Sequence, residues 1–531
     1  SVLPPLSTND HCTFTLNLSF KSYKPPSFKR HIWLYKQADF RALNTAIQNN
    51  DWNACLDTED IDEACQNWTT SYLTLARQYI PNKLIETRLK DTPWFTSELR
   101  KLKRNKDRAH RKAKSSNSPF DWAHFRQLRN NYVNKLKEAE KSHREKLANS
   151  LRDTQNIDPK KWWHTSKQFI GKVASSIIPP MTDSDKTFFS PKDKAEAFNK
   201  AFLKFSKLDT KDANLPPNHF KTDARLDHIV ATPEEVTDIL KSLDPTKATG
   251  PDGISTRMLK ETASSIAPSM TKLINLSLTS KRVPKMWKEA NVLPIHKKGN
   301  KSEFSNYRPI SLLNITSKVC EKVIFKHVFN YLRDNLLISL HQSGFTPGDS
   351  TVNQLLYLYD TFCRALDEKK DVRIVFCDQS KAFDRVWHDG LLHKLKNCGI
   401  TGPLHDWFTD YLHERKQRVT LDGTSSEYGS IEAGVPQGSI LGPLLFLIHI
   451  DDITDNIEFG INLFADDISL FITIDGDPTE PTTQLNLDLE RINKWAKQWM
   501  VSFNPQKTKS LYVTLKNNIN PPPLVFDGHN I

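Results

Sequence analysis

The stretch LFADDISLF, residues 463–471, sets two carboxylates side by side in an otherwise apolar run. Ile461, Leu463 and Phe464 precede the pair, and Ile468, Leu470 and Phe471 follow it. This loose alternation predicts two short strands joined by a tight turn, with Asp466 and Asp467 at the tip. Adjacent negative charges repel, and each raises the pKa of the other unless something positive lies beside them. Two readings follow: a cation held at the tip, or an Asx-type turn whose acids bond to nearby backbone and face water.

A third acid bears on that choice. In DVRIVFCDQSKAFDRVWH, residues 371–388, the β-branched and apolar run Val372 to Cys377 predicts a buried strand, and Asp378 falls at its end. A charge leaving a buried strand needs a partner. If this strand lies beside the hairpin, three carboxylates meet at neighbouring strand ends. Such a set suits two Mg²⁺ ions, which take oxygen ligands and keep positions open for substrate phosphates. Between the two segments, AGVPQGSILGPLLF (433–446) holds three glycines and two prolines. It predicts a tight loop opening a helix, with Gln437 turned into a site; a plain helix-initiating turn is the alternative. Upstream, ANVLPIHKKGNKSEFSNYRPISLL (290–313) reads strand, basic loop, strand. Lys297, Lys298 and Arg308 there suit either a triphosphate cradle or a solvated surface loop.

Composition limits what these segments belong to. With 531 residues, 38% of them hydrophobic, the chain is long enough for two to four domains with real cores. The formal charge of +12 points to a polyanionic partner, either nucleic acid or an acidic membrane surface. The longest apolar run, ILGPLLFLIHI (440–450), is too short to cross a bilayer. Seven scattered cysteines without a CxxC pair read as reduced, intracellular thiols. Helical spacing dominates from about 31 to 170. Within it, KLKRNKDRAHRKAK (101–114) carries eight Lys or Arg against one Asp, which marks a solvated or a phosphate-contacting helix face. PKKWWHTSKQFIGK (159–172) combines cations with aromatics, as base stacking would need or as an amphipathic helix burying Trp162 and Trp163 would have. Residues 177–194 break the periodicity and read as a linker. After about 225 strands and helices mix, starting with TPEEVTDILKSL (232–243), a helix capped by Thr232 with Glu235 three residues on.

In order along the chain, NYRPISLL (306–313), FCDQSKAFDRVWH (376–388), GVPQGSILGPLLF (434–446), FADD (464–467) and FNPQKTKSL (503–511) resemble the reverse transcriptase of a non-LTR, LINE-type retrotransposon, most similar to the Jockey-like group. The resemblance implies an α+β fold, a right-hand polymerase with fingers and palm and a catalytic β-hairpin over 225–531. A connecting segment (177–224) and a mainly α-helical basic extension (21–176) would precede it. It implies RNA-directed DNA synthesis: Mg²⁺-dependent transfer of a nucleotide from a dNTP to a primer 3′-hydroxyl. Asp378, Asp466 and Asp467 would hold two Mg²⁺ ions, with Mn²⁺ as a substitute. Arg308, with Lys297 or Lys298, would hold the triphosphate, while Gln437 and Gly438 lie in the loop touching template and nucleotide. Phe383 occupies the place of an aromatic gate against the ribose 2′-hydroxyl, or is a core aromatic. Lys507 or Lys509 would protonate pyrophosphate, and Asp384 would bond locally.

The same resemblance implies an RNA template, a DNA primer or target and dNTPs as partners, and a ribonucleoprotein shared between nucleus and cytoplasm. Residues 1–20 resemble the last strand region of an apurinic-type endonuclease, with Asp10 and His11 as its terminal pair and no activity expected from them. The family's primer grip and thumb would lie beyond FDGHNI (526–531). Two rival classes stand beside this reading: another template-directed polymerase, of intron maturase or RNA-dependent RNA polymerase type, and a non-catalytic RNA-binding relic. An aromatic at Phe383 argues against RNA synthesis.

Overall fold

The computed structural model describes residues 2–3, 13–14, 27–87, 92–154, 158–170, 178–183, 186–517 and 521–531. Two compact units divide the chain, Ser1–Arg30 with Ile85–Pro179, and His31–Leu84 with Pro180–Ile531.

The first unit is built on three helices, α1 (Ser97–Ser116), α2 (Pro119–Thr154) and α3 (Pro159–Phe169). Thr96 caps α1 by accepting from the Leu99 amide, and Asn117 ends it in the left-handed region. Helix α1 turns Leu99, Ala109 and Ala113 inward, and the ring of His110 stacks on Phe125 of α2 at 4.6 Å. Lys101, Lys103, Arg104, Arg108, Arg111, Lys112 and Lys114 remain exposed. Asp158 caps α3 at the Lys161 amide. Trp163 of that helix is 61% exposed, so it is not the core residue that an amphipathic α3 would require. The three helices carry twenty Lys or Arg against seven Asp or Glu, a surplus of thirteen in a chain whose net charge is +12. The rest of the chain is therefore close to neutral.

The second unit takes in residues 31–84, which the sequence assigns to the basic extension (21–176). Packing explains this different division. The helices Phe40–Asn49 and Ile61–Tyr79 bury Leu43, Ile47, Trp68, Tyr72 and Ala76. Trp68 Nε1 donates to Ser269 Oγ at 3.0 Å, and the Tyr72 hydroxyl meets Thr262 Oγ1 at 3.0 Å, both on or beside the buried helix Ala263–Ser280. The described residues of the expected linker (177–194) carry regular structure instead. They form a hairpin pairing Met181–Asp183 with Lys186–Phe188, then start the helix Pro191–Phe205. Pro191 suits the first helical turn, where no N–H is needed. Phe198 of that helix packs edge-on against Phe304 and Tyr307 at 4.8 and 4.9 Å. Thr232 caps the helix Pro233–Lys241 as expected, whereas the Glu235 side chain turns to Lys326 and His327.

Seven strands position the site: β1 (Glu289–His296), β2 (Tyr307–Leu312), β3 (Asp371–Asp378), β4 (Lys416–Leu421), β5 (Gly460–Phe464), β6 (Asp467–Ile474) and β7 (Lys509–Val513). One sheet runs β4–β1–β2, parallel then antiparallel, with Ile295 opposite Arg308. The other is antiparallel, in the order β5–β6–β3–β7. Val372, Ile374 and Val375 are fully buried in β3, as β-branched residues in a central strand should be. Helix α4 (Leu441–Ile450) is apolar all round and buried. Its first amides, of Ile440 and Leu441, are capped from a distance by the buried carboxylate of Glu321 at 2.6 and 3.3 Å. That cap removes orphan donors which no neighbouring side chain satisfies. The six described cysteines are free, and no described helix is long and apolar enough to cross a membrane.

Candidate active site

The hairpin read from LFADDISLF forms as expected. Phe464 pairs with Asp467, leaving Ala465 and Asp466 as the two-residue turn, and Ala465 takes φ +56° to make it. Strand β6 then pairs with β3 in a register that sets Asp467 directly opposite Asp378. Residues directly opposite across antiparallel strands sit close, with Cβ atoms about 5 Å apart. Folding thus gathers the three acids at one end of one sheet. Asp467 is exposed at its surface, yet the protein crowded about it raises its pKa, and the charges of Asp466 and Asp378 raise it further; Lys297 opposes them. Such mutual repulsion leaves a demand for positive charge.

Part of that demand is met by lysine. Lys507 Nζ donates to Asp378 Oδ2 at 3.2 Å. The tight turn after Phe503 delivers it: the Asn504 amide donates to the Asp378 carbonyl at 2.8 Å, and Lys507 N and Thr508 N close back on the Asn504 carbonyl. Lys509, the other candidate, lies on β7 opposite Phe376 and two residues short of Asp378 along β3. Lys297, Arg308 and Lys507 all depress the pKa of Lys381, whose burial does so first, with Asp384 pulling the other way. Lys381 itself sits 3.8 Å over the ring of Phe205. Lys507 and Lys297 thus act on the acids themselves, while Lys381 and Arg308 act on Asp384. Lys298 is exposed on the same loop as Lys297 and forms no ion pair among the described residues.

Phe383, half-buried, stacks on the buried ring of Phe446 at 4.5 Å and 17°. The loop 433–439 is bolted to this segment: Gly434 N donates to the Val386 carbonyl and Val435 N to the Phe383 carbonyl, each at 2.8 Å. Gln437 Nε2 donates to Asp384 Oδ1 at 2.7 Å, while its carbonyl accepts from Ser311 N of β2 at 2.9 Å. Asp384 therefore holds Gln437, 53 residues on along the chain. Burial pushes the Asp384 carboxyl up to about 6, against the pull of Gln437, Lys381 and Arg308. Gly438 must lack a side chain: at φ +136° its Cβ would lie 2.4 Å from the Ser311 carbonyl oxygen. A small cavity between Phe202, Pro309, Asp384 and Gln437 adjoins this loop.

Among the described residues no group of three or more His, Cys, Asp or Glu is arranged to hold a metal ion. The donors nonetheless fit a hard divalent cation in chemistry. They are carboxylate oxygens, and they carry negative charge that one lysine does not neutralise.

Residues 295–529 match the reverse transcriptase (RNA-dependent DNA polymerase) family. Those residues are similar to that family over somewhat less than half of the chain. The probable RNA-directed DNA polymerase from transposon BS of Drosophila melanogaster is 35% identical over 292 residues, which are 53% of this chain and 32% of that protein. Its counterpart from the X-element of the same fly is 32% identical, over 55% of this chain and 32% of that protein. The RNA-directed DNA polymerase from mobile element jockey of Drosophila melanogaster is 31% identical, over 52% and 31%. The resemblance to LINE-type elements of the Jockey-like group holds. The chain spans about a third of the length of these relatives.

The site also gathers residues that carry little signal in the sequence. Lys381 stands inside the block FCDQSKAFDRVWH but carries no signal of its own beside two aspartates. Gln342 and Gly344 have none: Gln342 Oε1 accepts from Gly344 N at 2.8 Å and Ala465 N at 2.9 Å, clamping the acidic turn from 123 residues away. Asp10 and His11 lie outside the described residues.

Proposed function

We propose that the chain is an RNA-directed DNA polymerase that transfers a nucleotide from a dNTP to the 3′-hydroxyl of a primer paired to an RNA template. The β5–β6–β3–β7 sheet serves as its palm and the β4–β1–β2 sheet as its fingers. The observation that carries this is the cross-strand placement of Asp378 against Asp467, with Asp466 at the adjoining turn.

Asp378, Asp466 and Asp467 would hold two Mg²⁺ ions, for which Mn²⁺ can substitute. When bound, the ions supply Lewis acidity that favours the deprotonated 3′-hydroxyl and neutralises charge on the departing pyrophosphate. Arg308 forks onto phosphate oxygens of the dNTP, and Lys297 and Lys298 add point charges beside it. Phe383 presents its ring where a ribose 2′-hydroxyl would sit, so deoxynucleotides are preferred. Gln437, oriented by Asp384, and Gly438, which lets backbones approach closely, line the template side of the nucleotide. Lys507 holds a proton at Nζ beside Asp378 and gives it to the leaving pyrophosphate. The exposed cations of α1–α3 hold the RNA template through its phosphates. The protein would work inside the cell as a ribonucleoprotein, in cytoplasm and nucleus.

Asp466→Asn is the test. Primer extension on an RNA template should fall by a factor of about a thousand or more, while affinity for the primer–template stays within about twofold of the unaltered chain. Equal loss of binding and extension would mean that the carboxylate supports the fold or the template and not the chemistry.

A further inference from the structure

The segment His341–Gly348 runs beside the acidic turn, and one residue in it is held against its backbone preference. Phe345 has φ +57°. Any residue with a Cβ is disfavoured there, because Cβ crowds the following carbonyl, and a bulky aromatic has no local hydrogen bond to offset the strain. Core packing offers little repayment, since the ring is 52% exposed. Glycine or asparagine would serve a simple turn better. Strain kept at an exposed position beside an active site points to a use for the side chain.

The geometry shows what that use is. Gly344, just before it, has no room for a side chain: a Cβ would lie 2.3 Å from the Ala465 amide nitrogen. With Gln342 bonded to both Gly344 and Ala465, the backbone at 344 is fastened to the turn that bears Asp466. Phe345 leaves that fixed point and sets its ring edge-on to Phe383, with centroids 5.9 Å apart at 79°. Behind Phe383 lies the ring of Phe446, stacked on it. Phe383 thus contacts two rings, and the backbone carrying one of them is fastened to the acidic turn. A gate that rejects a single hydroxyl works only if its ring cannot swing aside, because discrimination on one small group is easily lost to side-chain motion.

We propose that Phe345 is a positioning residue for sugar selection: it locks the Phe383 ring against the place of the ribose 2′-carbon, and so sets the preference for 2′-deoxynucleoside triphosphates. This rests on the polymerase reading above. The positive φ is the cost of reaching Phe383 from a backbone tied to the catalytic turn.

Phe345→Gly tests it, because glycine relieves the strain while removing the ring, so folding should not suffer and the thermal midpoint should not fall. In primer extension by the full chain, the ratio of kcat/KM for dNTP to that for rNTP should drop by about tenfold or more, mainly through a lower KM for rNTP. Phe345→Tyr should keep the ratio. Combined with Phe383→Val, Phe345→Gly should cost no further discrimination, since it acts through that ring. A Phe345→Gly chain that keeps the dNTP preference of the unaltered chain overturns the assignment, and so does full additivity of the two changes. An unaltered chain that neither extends a primer nor binds either nucleotide on a primer–template overturns the polymerase reading itself, and this inference with it.

Discussion

Asp252 is a carboxyl taken out of water for the sake of one loop. Its Oδ1 accepts from the Ile254 amide at 3.1 Å, its own amide donates to Asn314 Oδ1, and Oδ2 is buried with no partner. Burial pushes its pKa from the ordinary 3.8 up to about 7. The folded chain therefore binds a proton there more tightly than the unfolded chain does. Because the folded value is the higher one, this contribution to stability is present at low pH and is lost as pH rises from about 4 to about 7, at about 1.4 kcal/mol for each pH unit crossed in that window. Asp252→Asn should remove that dependence: the variant gains on the unaltered chain between pH 5 and pH 8, read from urea midpoints. A constant difference across that range would mean Asp252 is charged and satisfied. In the sequence Asp252 sits in KATGPDGIS (247–255), a Gly- and Pro-bearing loop, and nothing near it along the chain reveals what closes over it.

At the scale of elements, the acidic hairpin is both the most legible feature and the one most dependent on a distant support. Alternating apolar residues and a two-residue turn act within nine positions, so LFADDISLF folds as it reads. What holds the turn in place is the Gln342–Gly344 clamp. Gly344→Ala must push the Ala465 amide away, because backbone atoms there cannot yield as a flexible side chain would. Shifts of about 1 Å at a reacting centre cost about a hundredfold in rate. Gly344→Ala should therefore lower extension by about that factor with template affinity retained; loss of affinity in equal measure would place the damage in the fold. The helix Pro191–Phe205 is the opposite case. Its proline-bearing start reads as a break, and distant residues such as Phe304 and Tyr307, a hundred residues on, give its apolar face a place to pack.

For the whole molecule the deciding quantity is where charge sits. Helices α1–α3 hold a surplus of thirteen positive charges, and the rest of the chain holds almost none. Replacing Lys101, Lys103, Arg104 and Arg108 together with Gln should reduce the salt dependence of single-stranded RNA binding, by a slope of about 3 if each contacts a phosphate. An unaltered slope would make that helix face merely solvated. What the sequence by itself determined was local: the strands, the acidic turn, the basic helices and the glycine loop, because alternation, β-branching and turn chemistry act over a few residues. Five ordered blocks further carried the resemblance to reverse transcriptases of LINE-type elements. Only the tertiary structure decided that Asp378 faces Asp467, that Lys507 and not Lys509 reaches Asp378, that Asp384 holds Gln437, and that residues 31–84 join the larger unit. Those outcomes depend on strand order, register and shared burial between segments far apart along the chain, which no local stretch of sequence contains.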